Sequence, residues 1–138
     1  MAVLIDTSFL LAAMYAKDSN HHHALTAQGN LFGESRIVPA SVVQELFYMV
    51  TVRINYQRAV NVLAQLQTGA FEIVDLTSDN RQRMTEIMRQ YESAAFDYTD
   101  AAIMALSGRL NIRQVYTFDH RDFGIFRPQH CDYLELHP

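Results

Sequence analysis

Asp6, Glu45, Asp100 and Asp119 are the residues whose type and local setting carry the clearest chemistry in this chain. Each offers a carboxylate. Brought to separations of roughly 4 to 6 Å, such groups must either take up protons or be bridged by a cation. Ligands that are all oxygen select hard ions, so Mg²⁺ or Mn²⁺ is the fitting occupant. An ion held in this way activates water and offsets charge on a phosphoryl group, which suits hydrolysis of a phosphodiester without a covalent nucleophile. Taken singly, an Asp or Glu is most often a helix cap or a solvated surface group. The case therefore depends on whether the fold gathers the four.

The elements that must position them can be read along the chain. Residues 2–5 form a continuous apolar run closed by Asp6, as expected of a short strand buried on both faces in a parallel sheet. Residues 9–16 then read as a helix, and a second helix over 21–31 follows the caps Asp18, Ser19 and Asn20. Residues 36–38 form a strand stopped by Pro39, which has no ladder N–H. Ser41 and Gln44 have the form of a capping box, with Val42, Val43, Leu46, Phe47 and Val50 at helical spacing, which puts Glu45 in about the first turn of that helix. A further helix runs from Tyr56 to near Gly69, then a strand over 71–76 and a helix from the caps at 77–79 to about Tyr91. Asp100 opens a helix rich in small residues that closes around 108–111. A strand over 114–118 ends at Asp119, and 133–136 reads as an edge strand.

Alternating strands and helices predict an α/β fold. It is a single domain over 1–138, with a central parallel sheet of four to five short strands flanked by helices. In such sheets ligands gather beyond the carboxyl ends of the strands. Asp6 and Asp119 directly follow strands, while Glu45 and Asp100 open helices, so all four belong to that edge. Helix N-termini offset only a small part of their mutual repulsion. Thr7, Ser8 and Thr117 either cap local structure or orient an acid or a metal-bound water, and Asp97 is either a supporting group or a loop residue. Asp122 is read as holding the turn around Phe123 rather than as a ligand. Position alone leaves the choice between a site and four surface acids open.

Composition narrows the classes. With 138 residues, 49% hydrophobic and 19% charged, the chain has material for one domain with a sizeable core. A net charge of −4 argues against a broad basic surface, though not against nucleic acid as a substrate. Every basic residue except Lys17 is Arg, whose planar fork suits phosphate. There is no membrane-length apolar run or signal-like leader, and Cys131 is the sole cysteine. The expectation is a cytoplasmic protein with no membrane association and no intrachain disulfide. The run His21-His22-His23 points its side chains about 100° apart on a helix and cannot converge on one ion.

The wording around the four acids resembles the PIN-domain ribonucleases, and in particular the toxins of VapBC-type toxin–antitoxin pairs. Met-Ala-Val-Leu-Ile-Asp6-Thr-Ser is similar to the family's first strand and acid. Val38-Pro-Ala-Ser-Val-Val-Gln-Glu45-Leu resembles the second site, Thr99-Asp100-Ala-Ala-Ile-Met-Ala-Leu the third, and Tyr116-Thr-Phe-Asp119-His-Arg-Asp-Phe123 the fourth. The resemblance covers nearly the whole chain. It implies Mg²⁺- or Mn²⁺-dependent endonuclease activity on RNA, a homodimer and a small antitoxin partner. It also implies Asp6, Glu45 and Asp100 as the metal-binding core, with Asp119 the fourth acid. Two alternatives compete. A haloacid-dehalogenase-like phosphatase also begins with a strand and Asp, but needs a second Asp where Ser8 stands and a well-placed Lys, and Lys17 is poorly placed. A metal-free binding module would keep the fold without needing the four acids.

Overall fold

The computed structural model describes residues 1–138. Five parallel strands, β1 (Ala2–Ile5), β2 (Ser35–Pro39), β3 (Glu72–Val74), β4 (Gln114–Tyr116) and β5 (Glu135–His137), stand in the order β3-β2-β1-β4-β5. β1 lies at the centre, with Leu4 opposite Ile37 of β2 and Ile5 opposite Tyr116 of β4. Val3, Leu4 and Ile5 are fully buried, which is why the strand carries no polar alternation. The edge strands β3 and β5 are only three residues long, and exposed Glu72, Ile73 and Glu135 mark them as rims.

Helices α1 (Thr7–Met14), α2 (His21–Gln28), α3 (Ala40–Arg53), α4 (Tyr56–Leu66), α5 (Ser78–Gln90), α6 (Tyr98–Arg109) and α7 (His120–Ile125) cover the sheet. None is long and apolar enough to cross a membrane. The chain leaves β1 toward β2 and β3 on one side, then returns to β4 and β5 on the other. The strand order thus reverses beside β1, where doubly wound sheets open their binding crevice. α6 is buried all round from Ala101 to Ser107, and Ala101, Ala102 and Ala105 let it lie close to its neighbours.

Several expected boundaries shift. α1 begins at Thr7 and its N-cap is Asp6, so neither Thr7 nor Ser8 caps it. α3 begins at Ala40 with Pro39 at its N-cap and no side-chain cap, so the Ser41–Gln44 capping box does not form. The Ser41 hydroxyl is instead buried without a partner. Glu45 consequently falls in the second turn of α3 rather than the first. β4 stops at Tyr116, because the Thr117 hydroxyl accepts the Asp119 N–H at 2.9 Å and folds the chain into a turn. The segment read as a turn around Phe123 is the short helix α7, with Phe123 buried beneath it.

Candidate active site

Asp6 leaves the carboxyl end of β1 with its backbone N–H donated to the Tyr116 carbonyl at 3.0 Å. Its side chain is held by three donors. Oδ1 accepts the Thr7 N–H at 2.8 Å, and Oδ2 accepts the Ser8 hydroxyl at 3.1 Å and the Thr117 hydroxyl at 2.8 Å. Both hydroxyls are themselves fixed, since Ser8 Oγ accepts the Phe118 N–H at 3.0 Å and Thr117 Oγ1 accepts that of Asp119. The residue is only 4% exposed. Burial raises the Asp6 carboxyl to about 6, against the hydrogen bonds from Thr117, Thr7 and Ser8, and Glu45 adds a smaller repulsion. Thr7 acts here through its backbone alone, as its buried hydroxyl has no partner.

Asp100 is set in the first turn of α6, where Asp97, the N-cap, accepts its N–H at 2.8 Å. The Asp100 side chain is nearly as inaccessible as that of Asp6, at 7% exposed. Burial raises its carboxyl to about 9, with further repulsion from Asp6, Asp97, Asp119 and Asp122. A carboxylate pushed this far prefers a proton or a cation to standing ionised alone.

Asp119 is the N-cap of α7, and its Oδ1 accepts the Asp122 N–H at 3.3 Å. One carboxylate oxygen each from Asp100, Asp119 and Asp122 lies within 4.8 Å of the others. Burial first, and then Asp119, also raises the Asp122 carboxyl, while the Arg121 guanidinium at 3.0 Å opposes the rise. Arg121 stands at the rim with its side chain 73% exposed. Glu45, half-buried on α3, acts on Asp6 through charge and lies outside the tightest trio.

Asp6, Glu45, Asp100 and Asp119 thus share one electrostatic neighbourhood at the carboxyl edge of the sheet, and the closest group includes a residue read from sequence as a turn-former. Asp122 becomes legible only once 120–125 is read as a helix. Asp119 is then its N-cap and Asp122 stands in its first turn, which places the two carboxylates side by side. The donor set fits a hard divalent ion, because all the gathered groups are oxygen ligands and the carboxyls of Asp6 and Asp100 resist ionising unaided. Ser8 and Thr117 are engaged in orienting Asp6, so neither is poised as a nucleophile.

Comparison with known proteins identifies the family that has this fold. The model of the PIN domain family matches residues 3–126. Over 126 residues the chain is 30% identical to Ribonuclease VapC26 of Mycobacterium tuberculosis, covering 91% of this chain and 93% of that protein. The crystal structure of M. tuberculosis VapC20, described as a Sarcin-Ricin loop cleaving toxin, superposes with a TM-score of 0.85 at 19% identity, covering 99% of both chains. VapBC2 from Rickettsia felis, solved bound to a fragment of promoter DNA, gives a TM-score of 0.72 at 16% identity, covering 99% of this chain and 97% of the other. The two crystal structures share the fold, while the family match spans almost every element that builds the acidic edge. The chain belongs to the PIN-domain family, a family of nucleases, and its full-length similarity within it is to the VapC ribonucleases.

Proposed function

We propose that this protein is a Mg²⁺- or Mn²⁺-dependent endoribonuclease and the toxin of a cytoplasmic toxin–antitoxin pair, working as a homodimer. The observation that carries the reading is the burial of Asp6 and Asp100 at the switch point of a PIN fold, with Asp119 and Asp122 gathered on Asp100. RNA as substrate is supported by the relative named a ribonuclease, and an antitoxin partner by solved relatives captured as toxin–antitoxin assemblies.

Asp6, Glu45, Asp100 and Asp119 would hold the ion, and Asp122 joins them from the first turn of α7. When bound, the ion supplies an activated water and charge compensation at the scissile phosphate. The protein's part is positioning. Thr117, Ser8 and the Thr7 amide lock the Asp6 carboxylate in one orientation, and Asp97 anchors the turn that presents Asp100. Arg121, exposed beside the acids and paired with Asp122, would contact a neighbouring backbone phosphate.

The test is cleavage of single-stranded RNA. Cleavage is expected with Mg²⁺ or Mn²⁺ and none in excess EDTA. Asp6→Asn and Asp100→Asn should each lower the rate by roughly a hundredfold or more, with the fold intact by circular dichroism, since a neutral amide binds the ion far less well. Undiminished cleavage in both variants would overturn the assignment. Release of phosphate from a small ester in place of RNA cleavage would favour the phosphatase alternative.

A further inference from the structure

A cavity of about 540 Å³ lies away from the acidic edge, between the first turns of α5, the last turn of α6 and the segment that follows α7. Its volume is in the range of small-molecule sites. Its lining is unlike the rest of this acidic protein. Arg83, Arg109, His130, Asn80 and Gln129 bring donors to it, and Asp79 is the only carboxylate in the wall. Met104, Ala105 and Phe126 supply an apolar floor.

Arg109 is held in place without being neutralised, and Arg83 has only one long ion pair. Arg109 donates through Nη1 to the Asn80 side-chain oxygen and, at 3.4 Å, to the Asp75 carbonyl. It forms no ion pair with a carboxylate, so its charge and remaining N–H groups are uncommitted. Asn80 is itself pinned by the Thr77 capping box, which makes the guanidinium's anchor rigid. Arg83, itself half-buried, reaches only Glu86, a long contact of 3.4 Å to a side chain that is 57% exposed and so a weak competitor for a ligand anion. His130 bonds the Ile112 carbonyl through Nε2 at 2.8 Å, leaving Nδ1 on the side of Gly108, another residue of the wall.

We propose that this cavity binds a phosphate monoester whose phosphoryl group is gripped by Arg83 and Arg109 and whose organic part rests on Met104, Ala105 and Phe126. Two guanidiniums facing a single carboxylate match a compact dianion, and planar donors suit the oxygens of phosphate. The volume exceeds what phosphate alone would fill, which points to a nucleotide-sized ligand. The phosphate can come from a free mononucleotide or from the 5′ end of an RNA. Asp100 and Arg109 are nine residues apart on one helix, roughly 14 Å along its axis. The cavity is thus separate from the acids and does not depend on the nuclease reading.

The experiment is isothermal titration of the full-length protein in excess EDTA, so that the acidic edge is not loaded. Inorganic phosphate, a nucleoside 5′-monophosphate, and one oligoribonucleotide with either a 5′-phosphate or a 5′-hydroxyl are the titrants. Saturable binding of the mononucleotide is expected. Arg83→Gln and Arg109→Lys should each weaken it by about tenfold or more, the loss of one charge-assisted contact, and Asp100→Asn should leave it unchanged. Unfolding curves for each variant establish that the fold survives, and Gly108→Met, which puts a side chain into the cavity beside His130 and leaves both arginines in the sequence, should also weaken binding. Tighter binding of the 5′-phosphorylated oligonucleotide than of the mononucleotide assigns the phosphate to an RNA end, and the reverse assigns it to a free nucleotide. No saturable binding of any phosphorylated titrant, equal affinity in the arginine variants, or binding of the 5′-hydroxyl oligonucleotide as tight as that of the tightest phosphorylated titrant would overturn the proposal.

Discussion

The Thr117 hydroxyl ties Asp6 to the loop that carries Asp119. It donates to Asp6 Oδ2 at 2.8 Å and accepts the Asp119 N–H at 2.9 Å. Thr117 is fully buried, so no water can replace either bond. Thr117→Val keeps the branched shape and deletes both. The amide of half-buried Asp119 loses its acceptor, and a stability loss of about 1–3 kcal/mol is expected. Because this bond is the largest influence holding the Asp6 carboxyl down, the variant should also need a higher pH to bind Mn²⁺. Calorimetric titration of Mn²⁺ across pH checks this, with Thr117→Ser restoring the wild-type profile. A variant with an unshifted profile would show that Thr117 only stabilises the fold.

Asp122 separates a role at the metal from a role in the turn. Asp122→Asn retains the shape and the backbone N–H that Asp119 Oδ1 accepts, but removes a charge that repels Asp100 and Asp119. In EDTA the variant should melt at a higher temperature than the parent. Its Mn²⁺ affinity should fall by about tenfold or more if the carboxylate faces the ion. Were Asp122 merely a helix-forming residue, the affinity would not move.

The contrast between Asp6 and Asp122 shows what sequence could and could not reveal. A continuous apolar run closed by Asp reads as a strand buried on both faces, so β1 and the place of Asp6 at its carboxyl end were legible from residues 2–6, while the chemistry of Asp6 was not. The sheet, its parallel strands and the order of helices follow from the same alternation of short apolar runs and amphipathic stretches. α7 was not legible. Its six residues include Gly124 and are too few to show a period, and the helix is held by Asp119 at its cap and Phe123 in the core. Ser41 failed for a related reason. Its local pattern satisfies a capping box, but Pro39 supplies the entry to α3 and the helix starts before Ser41 can serve as its cap. Two of the donors on Asp6, Thr7 and Ser8, are local, but the third, Thr117, stands 111 residues away, a relation that only β1–β4 pairing creates. The cavity at the end of α6 likewise joins α5, α6 and the C-terminal segment, and no local pattern announces it.

The raised carboxyls make stability depend on pH in a direction that can be worked out. Asp6 moves from 3.8 to about 6 and Asp100 from 3.8 to about 9 on folding, in both cases chiefly through burial. Between the unfolded and folded values the native protein holds more protons than the unfolded chain, so unfolding releases protons and stability falls as pH rises. The contribution is full below about 3.8, declines as Asp6 ionises near 6, and is lost as pH passes about 9, where Asp100 ionises. A divalent ion takes the place of those protons, so the stabilisation it brings should grow across the same window. Melting temperature measured from pH 5 to 9 is therefore expected to decline in EDTA and to hold level in excess Mn²⁺. Asp100→Asn should flatten the EDTA curve and abolish most of the Mn²⁺ effect, because the amide neither titrates nor repels its neighbours. A metal-free curve that is already flat in the parent protein would mean that folding does not raise the carboxyls of Asp6 and Asp100.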